Sequence, residues 1–252
     1  MDAVMSRGVR PAHPASIDLN ADLGEECADD DALLDIVTSA NVATGAHAGG
    51  GDVLVRTVRA AARRHVAIGA HPSYPDRDVF GRMTQAGHWS SADLQAEIVR
   101  QCLRVQGACA EAGVALAHLN PHGALYNDAA CTPWIADAVA QAAAALKVPL
   151  VGLPATEHER AAERAGIDFH AEAFVDRAYR DDGTLVPRGE PGAVLAGAAA
   201  VDQALALAVH GAAATLCLHG DTPDSVVIAR SVRAALEDAG IVITAIRADP
   251  AS

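Results

Sequence analysis

The most informative segment of this sequence is Leu119-Asn120-Pro121-His122-Gly123-Ala124-Leu125-Tyr126-Asn127. The apolar run before it, residues 113–119, predicts a buried strand that ends at the proline. Side chains alternate along a strand, so we expect His118, Asn120 and His122 to share one face. The glycine that follows allows the backbone to turn. Polar side chains that leave the end of a buried strand together are typical of an α/β active site.

Strand and helix patterns alternate along the rest of the chain without a linker or a repeat. This alternation predicts a parallel sheet, and at seven or eight strand–helix units a closed barrel is favoured over an open, doubly wound sheet. The predicted strands cover residues 16–20 (to 22 if the strand persists), 39–44, 66–71, 113–119, 148–153, 167–172 and 214–219, with a candidate extra strand at 241–246.

The helices predicted between these strands have their own start and stop signals. Asp52 and Ser90 are candidate N-caps, and Asp93 forms a capping-box-like pair with Ser90. Gly166 is a helix stop signal. The predicted helices cover residues 29–37, 52–64, 90–113, a segment that starts with Thr132 and Pro133, 155–165, 193–210 and 222–240.

Length and composition limit the class of protein. The 252 residues suit one α/β barrel or two smaller domains, and 51% are apolar, which supports a large core. The formal net charge of -13 argues against binding to nucleic acid or to an anionic membrane. No apolar run reaches membrane-spanning length. Residues 1–15 contain prolines and arginines but no apolar core, so we predict a mobile leader at 1–15 and a single barrel domain at 16–252.

The cysteines and the single lysine exclude some chemistry. The five cysteines are odd in number and lack zinc-type spacing, which predicts reduced thiols and a cytoplasmic location. Cys217 shares a strand face with His219, but residues two apart on a strand lie in different layers. A small buried core residue is therefore favoured over a thiol–imidazole pair. Lys147 is the only lysine, which argues against Schiff-base chemistry.

Nearly every predicted strand ends in polar residues, and the fifth strand is the exception. A closed barrel would gather all of these side chains on its C-terminal rim. The strand ends carry Asp18, Asn20 and Asp22; Asn41 and His47; His71; His118, Asn120 and His122; Glu172 and Asp176; and His219 and Asp221.

Three histidines at different strand ends, His47, His71 and His122, are candidate acid–base groups or metal ligands, because imidazole titrates near neutrality. Together with Asp22 they would suit zinc or manganese. The chain lacks the His-x-x-His type of spacing common in deacetylases, so we do not expect a tightly bound metal. Asp18, Asn20 and Asp22 could hold a divalent cation or a catalytic water, or they could form a hydrogen-bonded network that closes the barrel mouth.

Glu172 is the candidate base or water-orienting carboxylate, and its alternative is an ion pair with Arg177. Arg82 and Arg177 could bind a carboxylate or phosphate through a bidentate fork, or form solvated salt bridges. The candidate catalytic residues are therefore Asp18, Asp22, His47, His71, His122 and Glu172, and the candidate substrate-binding residues are Asn20, Asn41, Arg82, Asn120, Tyr126, Asp176, Arg177, His219 and Asp221.

Several sequence blocks, in order from about residue 16 to 240, resemble the LamB/YcsF family. Each block alone is a weak signal, but their combination is specific. They are DLNADLGE (18–25), SANVATGAHAG (39–49), GAHPSYPD (69–76), FGR (80–82), PHGALYN (121–127), EAFVDRAY (172–179) and HGDTP (219–223).

The resemblance implies an irregular, TIM-barrel-like (β/α) barrel of seven strands, of the glycoside hydrolase/deacetylase type, in agreement with the strand count. The family includes the A subunit of bacterial 5-oxoprolinase, which works with subunits B and C and opens the 5-oxoproline lactam to glutamate with ATP hydrolysis. ATP, with Mg²⁺, would then be the co-substrate. The alternatives are a metal-dependent deacetylase-like hydrolase and a non-catalytic subunit that binds a ligand or partners.

The sequence departs from the family pattern inside the expected site. The family usually has lysine at the position of Asn120. It has Cys-Gly-Phe-His where this chain has Thr-Gly-Ala-His at residues 44–47, and it has arginine at the position of Met83. Loss of the lysine removes an ammonium group that could stabilise developing negative charge. We therefore predict weak or altered 5-oxoprolinase activity.

Overall fold

The computed structural model describes residues 16–180, 183–211 and 213–246, so the predicted leader at 1–15 lies outside the described residues. The strands are β1 (Ser16–Leu23), β2 (Ser39–Ala43), β3 (Ala67–His71), β4 (Leu116–Leu119), β5 (Leu150–Gly152), β6 (Phe169–Phe174), β7 (Thr215–His219) and β8 (Val242–Ile243). The first seven are parallel in the order β2-β3-β4-β5-β6-β7-β1, and pairing of β1 with β2 closes the barrel. The predicted seven-stranded α/β barrel is confirmed.

The barrel is irregular, as expected. Strands β4 and β5 pair only at Leu119 and Leu150, and the register between β3 and β4 shifts after Ile68. The extra strand β8 is shorter than predicted and pairs only with Ser16 and Ile17 at the start of β1. Strand β1 persists to residue 23, which meets the condition for three polar side chains on one face.

Helices alternate with the strands along the chain. They are α1 (Asp30–Leu34), α2 (Gly51–Arg63), α3 (Ser91–Glu111), α4 (Gly123–Cys131), α5 (Pro133–Leu146), α6 (Glu157–Ala165), α7 (Ala198–His210) and α8 (Ser225–Asp238), with a 3₁₀ turn at Ala86–His88. None of the described helices is long and apolar enough to cross a membrane.

Several helix starts differ from the prediction: α7 begins at Ala198 rather than at residue 193, and α8 at Ser225 rather than at residue 222. Asp52 is not an N-cap, because α2 already begins at Gly51. Helix α4 was missed, since the glycine after His122 was interpreted only as a turn. Gly123 has a φ of 58°, and a Cβ there would lie 2.7 Å from the carbonyl oxygen of Gly81, so this helix start requires glycine. Ser90 caps α3 as predicted and accepts a hydrogen bond from the backbone N–H of Asp93.

The large apolar core includes side chains of the strands and of the surrounding helices. Leu19 and Leu23 of β1 belong to it, together with Cys102 and Cys109 of α3, all fully buried. The alternating side chains of β1 are polar and equally buried. The barrel interior therefore has a polar lining, and this lining leads to the C-terminal strand ends, where the candidate site lies.

Candidate active site

The deepest polar layer surrounds Asp18. Its carboxylate accepts hydrogen bonds from the hydroxyl groups of Thr38 (2.7 Å), Ser39 (2.7 Å) and Thr215 (2.5 Å). Asp18 and Asp22 are four positions apart along the strand, a rise of roughly 13 Å. The structure therefore does not bring Asp18 to the rim. Its contacts are those of the predicted hydrogen-bonded network, so we leave Asp18 out of the candidate catalytic group.

The middle layer surrounds Glu172. One carboxylate oxygen accepts from Asn20 (3.2 Å) and the other from Asn120 (2.8 Å). The predicted alternative, an ion pair between Glu172 and Arg177, does not form, because Arg177 donates instead to the carbonyl oxygen of Val186 (2.7 Å). Burial and the negative charge of Asp22 raise the pKa of Glu172 to about 7, although the amide groups of Asn120 and Asn20 and the nearby hydroxyl of Tyr126 oppose this rise. A carboxyl group with this pKa can accept and return a proton near neutrality.

Two asparagines fix the position of these carboxylates. The side-chain N–H groups of Asn41 donate to Oδ1 of Asn20 (2.8 Å) and to Oδ1 of Asp22 (3.0 Å). Asn20 donates onward to Thr215 (2.6 Å) as well as to Glu172. Asn20 and Asn41 are fully engaged inside the barrel, so in this structure they orient carboxylates rather than face a substrate.

Tyr126 of α4 borders the Glu172 layer. Its ring packs edge-on against His158 and Phe174, with ring centroids 4.7 and 5.6 Å away. Burial, followed by the nearby charge of Glu172, raises the pKa of Tyr126 well above its usual value. The hydroxyl is buried and lies near the Glu172 carboxylate, but this contact falls outside normal hydrogen-bond geometry, and no other described residue is its partner. A buried donor without a partner is a candidate contact for a ligand.

The outer layer is a group that we call the histidine cluster, made of Glu25, His47, His71 and His122. Its ligating atoms all lie within 4.8 Å of one another. Oε1 of Glu25 lies 2.9 Å from Nε2 of His47 and 3.4 Å from Nδ1 of His122. The rings of His47 and His122 stack with centroids 3.8 Å apart. The structure thus brings together three histidines that the sequence predicted at separate strand ends.

Asp22 connects the cluster to the Glu172 layer. Its Oδ1 lies 3.3 Å from Nε2 of His71. Burial lowers the pKa of His71, but the charge of Asp22 outweighs this effect and raises it to about 9. Burial, supported by the charges of neighbouring histidines, lowers the pKa of His122 to about 3. The cluster therefore combines protonated and neutral imidazoles, as proton transfer requires.

Glu25 is the member of the cluster that reasoning from single residues missed. The strand parity that selected Asp18, Asn20 and Asp22 ends at Leu23, and Gly24 has a φ of 73° that redirects the chain. Glu25 is 6% exposed and points back into the site. The sequence signal for it was its position at the end of the DLGE motif in the first family-like block.

His219 and Asp176 form a pair beside Asp22, whose backbone pairs with that of His219. Nδ1 of His219 lies 2.8 Å from the Asp176 carboxylate, which also accepts from the hydroxyl of Thr222 (2.8 Å). Asp176 raises the pKa of His219 against the effect of burial. Asp176 thus positions His219 rather than facing a ligand. Cys217 is buried as predicted, and burial raises the pKa of its thiol, which makes it a poor nucleophile.

Arginines form the outer edge of the site. Arg82 and Arg188 both form ion pairs with Asp221, the latter at 2.6 Å. Arg188 was not predicted, because it follows no strand. Nε of Arg177 is buried and has no hydrogen-bond partner among the described residues. The charges of Arg82 and Arg188 act on Arg177, which places the three arginines near one another, and Asp221 neutralises part of their positive charge.

Comparisons with known proteins agree with this geometry. The model of the LamB/YcsF family matches residues 17–250. A protein from Erwinia tasmaniensis, named as the A subunit of 5-oxoprolinase, is 42% identical over 90% of this chain and 98% of its own length. A protein of the same name from Nocardia farcinica is 44% identical over 91% of this chain and 98% of its own length.

Solved structures show the same fold. The lactam utilization protein from Thermus thermophilus superposes with a TM-score of 0.84 at 36% identity, over 92% of this chain and all of that one. The catalytic domain of a peptidoglycan N-acetylglucosamine deacetylase from Eubacterium rectale gives a TM-score of 0.56 at 10% identity, over 99% of this chain and 94% of that one, which indicates a shared fold alone. The barrel and the match along nearly its whole length establish that this chain belongs to the LamB/YcsF family.

Proposed function

We propose that this chain is the A subunit of a 5-oxoprolinase-type hydrolase, which opens the cyclic amide of 5-oxoproline to glutamate with hydrolysis of ATP. The observation that carries the proposal is the position of Glu172, a buried carboxylate with a pKa of about 7, beside an acid–base histidine cluster. The proposal is supported by the two relatives that carry the name of the 5-oxoprolinase A subunit.

The chemistry of a lactam explains the need for ATP. The amide is stabilised by resonance, and water attacks its carbon too slowly without activation. Transfer of the γ-phosphoryl group of ATP to the lactam oxygen makes this carbon electrophilic. One water then adds to the carbon, and cleavage of the ring C–N bond leaves a free amine and an acyl phosphate. A second water hydrolyses the acyl phosphate to carboxylate and inorganic phosphate.

The described side chains can supply the proton transfers in this sequence. Glu172 would remove a proton from the attacking water, and an imidazole of the histidine cluster would deliver one to the departing ring nitrogen. Arg82 and Arg177 would face the substrate carboxylate or the phosphoryl group, with Mg²⁺ supplied by the nucleotide. The name of the relatives implies a complex with other subunits, and we propose that subunits B and C are the partners, in the cytoplasm where ATP is available.

The test is reconstitution with partner subunits encoded by neighbouring reading frames. The complete complex, given 5-oxoproline, ATP and Mg²⁺, should release glutamate and ADP in equal amounts, and Glu172→Gln should abolish release. The matched control is Glu163→Gln, since Glu163 is an exposed residue of α6. Binding of 5-oxoproline by calorimetry without turnover would refute the catalytic proposal and favour the non-catalytic alternative.

A further inference from the structure

We propose that Glu25, His47, His71 and His122 bind one divalent transition-metal ion. The inference does not depend on the proposed lactam chemistry, because it rests on the donor atoms of the histidine cluster and on their immediate partners. Sequence reasoning led us to expect no tightly bound metal, since the His-x-x-His type of spacing is absent. The four donors come from four separate segments of the chain, so a local motif could not reveal them.

The spacing of the donor atoms suits a single ion. In a tetrahedral site with bonds of about 2.1 Å, neighbouring donor atoms lie about 3.4 Å apart. Oε1 of Glu25 lies 2.9, 3.4 and 4.0 Å from the inner nitrogens of His47, His122 and His71. The inner nitrogens of His71 and His122 are 3.0 Å apart. These donor–donor distances lie slightly below and slightly above the tetrahedral value.

The outer nitrogen of each ring is held by a hydrogen-bond acceptor. Nδ1 of His71 faces the carbonyl oxygen of Asn120 at 2.8 Å, and Nε2 of His122 faces that of Phe80 at 3.0 Å. A carbonyl oxygen can only accept, so each outer nitrogen carries a proton. In the neutral rings, the inner nitrogens of both histidines therefore present lone pairs to the centre of the cluster.

The outer nitrogen of the third ring, that of His47, is also held by a hydrogen-bond acceptor, the hydroxyl of Ser73. Nδ1 of His47 lies 3.0 Å from Oγ of Ser73, whose own proton is donated to the carbonyl oxygen of Tyr74 (2.8 Å). Ser73 must therefore accept from His47, and Nε2 of His47 is left as a lone pair directed at Glu25. Partners that fix the tautomer in this way are characteristic of histidines that bind metal.

The centre of the cluster thus contains acceptors that need a cation. When all three imidazoles are neutral, as metal binding requires, they and Glu25 present four lone pairs at close range, and Oδ1 of Asp22 adds a fifth at 3.3 Å from His71. Without a cation these atoms must share protons to avoid repulsion. Three imidazoles with a carboxylate favour zinc, manganese or cobalt over magnesium and calcium, which prefer oxygen ligands. Asp22 is then placed to act as a further ligand or to orient a metal-bound water.

The experiment measures metal binding directly and requires neither partner subunits nor ATP. The full chain, without a histidine tag, is stripped with a chelator, then titrated with Zn²⁺ and Mn²⁺ by calorimetry and with Co²⁺ by absorption spectroscopy. We expect one ion per chain and, with cobalt, the ligand-field bands of a site with nitrogen ligands. A folded, stripped chain that binds none of the three ions would overturn the proposal.

Variants identify the ligands. His71→Ala and Glu25→Gln should weaken binding by at least 100-fold, and Ser73→Ala, which removes a partner of His47, by about 10- to 100-fold. The control is His118→Asn, which removes an equally buried imidazole that contacts Asn41 and lies outside the cluster. Circular dichroism verifies that each variant folds. Because two ligand variants are made, the test still works if one of them fails to fold. Unchanged affinity in either folded ligand variant would assign the metal to another site and overturn the proposal.

Discussion

The side-chain amide of Asn120 donates a hydrogen bond of 2.8 Å to Oε2 of Glu172, and both residues are buried inside the barrel mouth. A neutral amide stabilises the carboxylate less than an ammonium group would. Burial and the charge of Asp22 therefore prevail and raise the pKa of Glu172 to about 7. The resemblance described above predicts lysine at the position of Asn120, so this contact is where the chain is expected to depart most directly from the family chemistry.

The first prediction concerns Asn120→Lys. An ammonium group beside Glu172 should lower the pKa of this carboxyl group and supply a charge for the developing oxyanion. We expect faster turnover of 5-oxoproline in the reconstituted complex and a shift of the acidic limb of the pH profile to lower pH by at least one unit. The measurement is kcat/KM against pH, with Asn120→Gln as the uncharged control. Equal or lower activity in a folded lysine variant would show that this position does not limit catalysis.

The second prediction concerns stability and Glu172. Its pKa in the folded protein, about 7, exceeds its ordinary value of 4.5, so the folded state holds a proton that the unfolded state releases between these pH values. The contribution of Glu172 to the free energy of unfolding is fully present below pH 4.5 and is lost as the pH rises through 7. Full ionisation costs roughly 3 kcal/mol.

Glu172→Gln should remove this dependence, since glutamine resembles the protonated acid. Urea unfolding at pH 5 and pH 8 should show the variant gaining stability relative to the natural chain as pH rises. Glu163→Gln, an exposed change on α6, should show no such gain. A constant difference between the Glu172 variant and the natural chain at both pH values would mean that Glu172 titrates near its ordinary pKa.

The third prediction separates the deep layer from the site. Asp18→Ala leaves the hydroxyls of Thr38, Ser39 and Thr215 without their acceptor, and should lower the free energy of unfolding by about 2–4 kcal/mol. The folded variant should keep its metal affinity and its turnover within twofold. Chemical denaturation and steady-state assays below the melting range measure the two effects. If the Asp18 variant is fully folded but loses turnover, Asp18 belongs in the catalytic group after all.

The residues that the sequence predicted well are those set by a simple period. Alternation along β1, β4 and β6 placed Asn20, Asp22, Asn120, His122 and Glu172 on the inner face of the barrel, and the structure brings them together. The barrel itself followed from the number of strand–helix units, because parallel strands need a crossover connection each time.

The residues that the sequence did not predict depend on depth or on the path of a loop. Parity assigned Asp18 and Asp22 to the same face, but which of them lies at the rim depends on where the strand ends, and β1 continues to Leu23. Glu25 and Arg188 were missed because each lies in a connection whose course depends on tertiary contacts, such as the ion pair of Arg188 with Asp221. The alternation of side chains along a strand depends only on neighbouring residues, whereas these positions depend on tertiary contacts between distant segments of the chain.

The last prediction compares two buried tyrosines. The hydroxyl of Tyr126 has no hydrogen-bond partner of normal geometry among the described residues, whereas the hydroxyl of Tyr74 donates to Asp128 at 3.0 Å. The contact of this hydroxyl with Glu172 falls outside normal hydrogen-bond geometry and contributes little, so Tyr126→Phe should change the free energy of unfolding by no more than about 1 kcal/mol. Tyr74→Phe should lower it by about 1–2 kcal/mol, since the donor to a carboxylate is lost.

The effects on function should be the reverse. If the hydroxyl of Tyr126 binds substrate beside Glu172, Tyr126→Phe should weaken 5-oxoproline binding by roughly 3- to 10-fold, the range expected for one neutral hydrogen bond. Tyr74→Phe should leave that affinity unchanged, because its hydroxyl is already paired with Asp128. Calorimetry of each variant with 5-oxoproline, beside urea unfolding of the same samples, measures both quantities. A Tyr126 variant that loses stability and keeps its affinity would show that the hydroxyl supports the fold, and would remove Tyr126 from the substrate-binding group.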